Sequence, residues 1–162
     1  MKTLLILRHA KSSWKKPDLP DHDRPLNKRG KKDAPKVGLY LKEHDLVPDL
    51  ILSSTARRAR DTAQAVADAC GFEGQVDYYQ DLYLSEPTIY LDILRCLLDD
   101  PKRVMVVGHN PDVEELLIML TEVDEHLTTA ALAVVNLPIS NWEELTEAID
   151  GKLQILWTPR QA

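Results

Sequence analysis

The sequence predicts an α/β fold, a three-layer α/β/α sandwich around a mostly parallel sheet, on three observations. Apolar runs of strand length recur near residues 2–7, 50–53, 104–107 and 130–137. Helical patterns stand between them, and strands alternating with helices predict a parallel sheet covered on both faces. At 162 residues and 44% hydrophobic, the chain is large enough to bury a core as one domain, residues 1–162, and too small for two of ordinary size.

The first strand runs into Leu7-Arg8-His9-Ala10-Lys11-Ser12-Ser13-Trp14, which brings an arginine and a histidine to a strand's C-terminal end, where open α/β sheets bind ligands. Residues 15–25 form a proline- and charge-rich loop expected to lie across a pocket mouth there. A helix follows Asn27, and Pro35 within it either kinks it or marks its true start. After the second strand, a helix near 55–70 places Ala59, Thr62, Ala63, Val66 and Ala69 at helical spacing, with Ser54 as N-cap. A further helix near 86–98 aligns Ile89, Tyr90, Ile93, Leu94 and Leu97. The strand at 104–107 enters Gly108-His109-Asn110-Pro111, a second histidine at the same kind of strand-to-helix turn. Its helix has Pro111 at the first position, Asp112 and Glu114 in the first turn, and Val113, Leu116, Leu117 and Leu120 facing inward. Residues 152–158 alternate as a final edge strand. These apolar stripes read as core.

The bulk properties exclude several function classes. The net charge is −6, yet residues 8–36 hold ten Lys/Arg against four Asp/Glu, so the N-terminal part is the anion-seeking face. Lys28, Arg29, Lys31 and Lys32 either belong to that face or form a solvated helix surface. An acidic balance argues against nucleic acid as a partner. No apolar run reaches the length of a membrane span and Met1-Lys2 leads straight into a strand, so a cytoplasmic protein without membrane partners is expected. Cys70 and Cys96 lie in helical segments without metal-ligand spacing and are expected as buried reduced thiols. Lys102, six positions after Cys96, stands where a cysteine-dependent phosphatase loop wants arginine.

Two histidines and an arginine at one sheet rim, joined by the arginines of Ser53-Ser54-Thr55-Ala56-Arg57-Arg58-Ala59-Arg60-Asp61-Thr62-Ala63 at a helix N-terminus, read as a phosphate pocket with a nucleophile. Neutral imidazole is nucleophilic near pH 7, provided one ring nitrogen donates to an acceptor and leaves the other lone pair free.

These three segments, in this order, resemble the histidine phosphatase superfamily, with its phosphoglycerate mutase-like fold, over nearly the whole chain. The short chain, Arg24-Pro25-Leu26 and Arg8-His9-Ala10-Lys11-Ser12 resemble most the SixA-type phosphohistidine phosphatases. Ala10 departs from the family's usual Arg-His-Gly by the smallest possible side chain and is expected to be tolerated. The resemblance implies His9 as the phosphoryl-carrying nucleophile, Arg8 and Arg58 as the guanidinium groups that hold the oxygens, and His109 as a further donor. It selects Arg58 through the serine four residues before it and the Ala-x-x-Thr after it, leaving Arg57 and Arg60 at the surface. It also implies Arg24 as a phosphate contact. Ser12 and Asn110, in the turns that bear the two histidines, join it as candidate substrate-binding residues.

Family members that cleave esters place a carboxylic acid near the leaving group, and Asp81 and Glu86 are the candidates here, with Glu86 alternatively serving the helix N-terminus. No cofactor is expected, and no metal, because a dication would share the pocket with Arg8 and Arg58 and finds no third ligand at proper spacing. His22, His44 and His126 are expected to face solvent. Three functions follow: a metal-independent phosphatase acting on phosphohistidine in a protein, a phosphomonoesterase acting on a small phosphorylated substrate, or a non-catalytic phosphate- or phosphoprotein-binding module.

Overall fold

In the computed structural model, which describes residues 1–161, six strands form one sheet in the order β3-β2-β4-β1-β5-β6. The strands are β1 (Lys2–Arg8), β2 (Leu50–Ser54), β3 (Asp77–Tyr79), β4 (Arg103–Gly108), β5 (Leu132–Leu137) and β6 (Lys152–Trp157). Three of the five pairings are parallel and two, β1 with β5 and β5 with β6, are antiparallel. The expected strands are all present, with β6 at one edge. The short β3 at the other edge has no apolar run to announce it, since Asp77 and Tyr78 are exposed.

Helices cover both faces because side chains alternate along the buried strands. Leu5, Leu7, Ile51, Met105 and Val107 pack against α1 (Lys28–Glu43) and α2 (Arg57–Cys70). Leu4, Ile6, Leu52, Val104 and Val106 face the other way, onto α3 (Pro87–Arg95) and α4 (Asp112–Thr121). Full burial of each such side chain is worth roughly 1.5–3 kcal/mol, so both faces contribute to holding the sheet.

The helix boundaries refine the sequence-based expectations. Asn27 caps α1, its side chain accepting from the Gly30 amide at 2.8 Å, and the helix runs unbroken through Pro35. Proline costs one helical hydrogen bond there, but Gly30, Ala34, Val37, Gly38 and Leu41 remain on one buried stripe. Ser54 is not the cap of α2; that position is Ala56, and Ser54 closes β2 instead. Gly71, with φ +76°, ends α2 in the left-handed conformation that glycine adopts without strain. Pro111 precedes α4 at its N-cap rather than occupying the first helical position. Cys70 is buried as expected, whereas Cys96 is exposed, because α3 ends at Arg95.

Helices α1 and α2 approach closely at Gly38. A Cβ at Gly38 would lie 2.6 Å from both the Ala69 Cβ and the Val66 carbonyl oxygen, nearer than real Cβ atoms come. Gly38→Ala is therefore expected to cost about 1–3 kcal/mol of stability, seen as a lower urea midpoint at unchanged m-value. An unchanged midpoint would show that the two helices separate freely.

Candidate active site

The parallel register builds the site. Arg8 stands opposite Gly108 across β1 and β4, so the next residues, His9 and His109, leave the sheet side by side. The His9 amide donates to the Gly108 carbonyl at 3.0 Å, and the two imidazole centroids lie 5.1 Å apart. Ser53 pairs with Val107, which brings the end of β2 and the start of α2 to the same level. A Cβ at Gly108 would run into the Tyr90 hydroxyl and lie 3.1 Å from Val113 Cγ1, so the turn before His109 needs glycine for close approach.

A pocket of about 250 Å³ opens at these strand ends, lined by Arg8, His9, Arg58, His109, Asn110 and Asp21, with Lys11, Ser12, Trp14 and Thr129 completing it. His9 Nδ1 lies 2.7 Å from the Ala10 carbonyl oxygen. A carbonyl only accepts, so Nδ1 bears the proton and Nε2 is the unprotonated nitrogen. Nε2 accepts a long hydrogen bond from Arg58 Nε at 3.4 Å. His109 Nε2 lies 2.8 Å from Ser54 Oγ, which already accepts from the Ala56 amide. The Ser54 hydroxyl has no other hydrogen-bond acceptor among the described residues, so its proton goes to Nε2 and the His109 proton sits on Nδ1. That nitrogen is buried without a protein partner, as are Arg8 Nε and Asn110 Oδ1.

A few backbone and hydroxyl contacts hold the loop that bears His9. Thr62 Oγ1 accepts from the Ala10 amide at 3.0 Å and donates to the Arg58 carbonyl at 2.7 Å, linking two of the three motifs. The Ala130 amide donates to the carbonyls of Arg8 and His9. Ala10 is fully buried against the α1–α2 side of the core, so its methyl group has a place to go. Arg8 Nη1 donates to the Leu127 carbonyl at 3.0 Å, and Asn110 Nδ2 to the same oxygen at 2.9 Å.

Several candidates stand elsewhere than expected. Arg24 is not at the pocket wall: its guanidinium donates to the carbonyls of Lys16 and Pro17 and lies 3.9 Å over the Trp14 ring. Asp81 and Glu86 are absent from the pocket and line a neighbouring hollow with Tyr83, Leu84 and Ile89. Glu86 occupies the N-cap position of α3 without a side-chain capping bond. His22 is half-buried, with Nε2 at 2.9 Å from Thr55 Oγ1 and its ring edge-on to Tyr83; His44 and His126 are exposed. Arg57 and Arg60 are at the surface as expected.

The carboxylate that does line the pocket is Asp21, in the loop expected across its mouth. Asp21 Oδ2 accepts from Arg58 Nη2 at 3.0 Å and from the Tyr83 hydroxyl at 2.7 Å. Its backbone carbonyl accepts from Arg58 Nη1 at 2.8 Å. Sequence reasoning had no means of choosing it over Asp18 and Asp23 in the same loop.

Burial controls the electrostatics of the two histidines. It pushes His9 down to about 4, helped by Arg58 and Arg8 and opposed by the Ala10 hydrogen bond. It pushes His109 down to about 3, with His9 and Arg58 adding to the shift. Both rings are thus neutral at pH 7. Burial also lowers the Arg8 guanidinium from its usual range, with Glu114 opposing. The Tyr83 hydroxyl, followed by Arg58, holds the Asp21 carboxyl below the usual carboxylate range against some desolvation.

Neutral histidines make stability depend on pH. Below the ordinary histidine value of 6.5 the unfolded chain binds protons that the folded pocket refuses until about pH 4 or lower, so stability falls with pH across that interval. One such group contributes up to roughly 3 kcal/mol. Between pH 7 and pH 4.5 the urea midpoint should therefore fall less steeply in His109→Asn than in the wild type, and parallel slopes would contradict it.

Comparison with known proteins agrees with this geometry. The family model for the histidine phosphatase superfamily, branch 1, matches residues 4–84. An uncharacterized chloroplastic protein of Arabidopsis thaliana is 37% identical over 150 residues, covering 87% of this chain and 69% of that protein. A structure named as a candidate phosphohistidine phosphatase SixA from Agrobacterium tumefaciens is 31% identical, covers 98% of both chains and superposes with a TM-score of 0.81. A second so named, from Nakamurella multipartitia, is 28% identical over 98% of this chain and 96% of that one, with a TM-score of 0.83. Strand order, histidine-bearing strand ends and sequence matches converge, and the chain belongs to the histidine phosphatase superfamily, in its phosphoglycerate mutase-like fold.

Proposed function

We propose that residues 1–162 work as one domain, a metal-independent phosphatase that takes a phosphoryl group from phosphohistidine in a protein and passes it through His9. The observation that supports this most is the His9 ring itself, with Nδ1–H given to Ala10 and the unprotonated Nε2 turned to the pocket, where it accepts a long, 3.4 Å hydrogen bond from Arg58 Nε that an arriving phosphoryl group replaces. Arg8, Arg58 and the His109 Nδ1–H meet the three equatorial oxygens, where charge-assisted and preformed donors act most strongly. Asn110 and Ser12 line the substrate side.

In the first step His9 Nε2 bonds to phosphorus as the bond to the leaving nitrogen breaks, and that nitrogen keeps the electron pair. A substrate imidazole protonated on its other nitrogen departs as a neutral ring and needs no acid. In the second step water attacks phospho-His9, the Nε2–P bond breaks, and inorganic phosphate and neutral His9 result, the proton of water passing to solvent.

The same balance weighs against the phosphomonoesterase. An alkoxide leaving group needs a proton donor, and the pocket carboxyl, Asp21, is held ionised by Tyr83 and Arg58. The likeness to structures named as SixA phosphohistidine phosphatases supports the nitrogen–phosphorus substrate. Among the described residues no helix is long and apolar enough to cross a membrane, and two free cysteines suit a reducing compartment such as the cytoplasm.

The test is phosphate release in EDTA from a histidine-phosphorylated protein and from a simple phosphate monoester. Fast release from the phosphoprotein, lost by about 10³-fold or more in His9→Ala, is expected; preference for the ester, or activity that fails in EDTA and returns with added metal, would overturn it. Asp81→Asn and Glu86→Gln should each keep kcat/KM within about twofold of the wild type. A loss of ester cleavage alone in either variant would restore the acid role to that residue.

A further inference from the structure

The segment that leads from the nucleophile into the mouth loop has features the phosphoryl chemistry leaves unused. Trp14 is 65% exposed at the pocket edge. It is nevertheless held: the Arg24 guanidinium covers one face of its ring at 3.9 Å, and Arg24 is only 6% exposed and tied to the carbonyls of Lys16 and Pro17. The Ser13 amide donates to the Pro25 carbonyl and the Asn27 amide to the Lys11 carbonyl, while Ser12 bridges to Leu26, so the strip is stitched along its length. An indole fixed on one face and open on the other makes contact area with little ordering cost.

The charge around it has one dominant sign. Lys11, Lys15 and Lys16 are exposed on the same strip, and Lys28 and Arg29 are exposed at the start of α1, whose Gly30 abuts the Lys11 backbone. The acidic residues of the loop are Asp18, Asp21 and Asp23, of which Asp21 is engaged by Arg58 and Tyr83. Residues 8–36 thus bear ten Lys/Arg against four Asp/Glu in a chain of net charge −6.

We propose that this shelf docks the acidic protein surface around the phosphorylated side chain: Trp14 covers an apolar residue beside it, and Lys11, Lys15 and Lys16 face flanking Asp and Glu. The assignment rests on the phosphohistidine function proposed above. A rigid aromatic beside a buried polar pocket has the character of an interface hot spot, and rim cations steer an acidic partner in a salt-dependent way.

Two synthetic peptides phosphorylated on histidine with phosphoramidate, one flanked by Leu, Asp and Glu and one by Ser and Lys, test it together with free phosphohistidine. Leu98→Ala serves as control, since Leu98 is exposed beside Leu50 and Asp99, away from the pocket. The wild type should favour the acidic peptide by about tenfold in kcat/KM at low salt, and less in high salt. The double variant Lys15→Glu with Lys16→Glu should lose about tenfold on that peptide through KM, with free phosphohistidine and Leu98→Ala unchanged, and Trp14→Ala, at the pocket edge, should lose more on that peptide than on free phosphohistidine. Equal rates on the two peptides, or losses that fall equally on free phosphohistidine, overturn the docking shelf while leaving the phosphatase intact. A wild type inert toward all three substrates overturns both.

Discussion

The register of β1 against β4 is the constraint on which the site depends. Because Arg8 pairs with Gly108, both histidines emerge on one rim, and the Ser53–Val107 pairing brings α2 and Arg58 to the same height. A slip of one residue would turn every side chain of a strand to the opposite face. Leu5 and Leu7 would leave the α1–α2 layer and Leu4 and Ile6 the α3–α4 layer, so the hydrophobic core enforces the alignment of His9, His109 and Arg58. Packing and pocket geometry are in this sense one specification.

Within that frame the pocket combines cations with neutral bases. Arg8 and Arg58 alone would make an anion trap; His9 and His109 add a lone pair and a donor because burial denies them protons. The hydrogen bonds decide which nitrogen does which: the Ala10 carbonyl for His9 and the Ser54 hydroxyl for His109. Neither partner is a charged group, and a buried carboxylate in either place would have favoured the imidazolium.

How much of this was legible in the sequence follows from how local each signal is. Strands, helices and the turns bearing His9, His109 and Arg58 are local patterns, and the structure has them within a few residues. Features set by long-range neighbours were not visible. Arg24 was expected at phosphate and instead lies over Trp14, a contact made by loop geometry. Ser54 passed for a helix cap because serine favours caps, while its hydroxyl belongs to a histidine 55 residues away. Asp21 meets Arg58 and Tyr83, 37 and 62 residues on, which no spacing announces. Pro35 left two outcomes open because the packing that carries α1 through it comes from α2.

The Asp21–Arg58 contact bears on how the enzyme empties itself. The carboxylate is about half exposed, with 47% of its side chain in solvent, while the Arg58 side chain shows only 11%, so the loop holds its anion over the mouth of a buried guanidinium. An arriving phosphoryl group, with more charge and more acceptors, competes for that guanidinium. Inorganic phosphate at the end of the cycle competes for the same guanidinium with a tethered anion that never diffuses away.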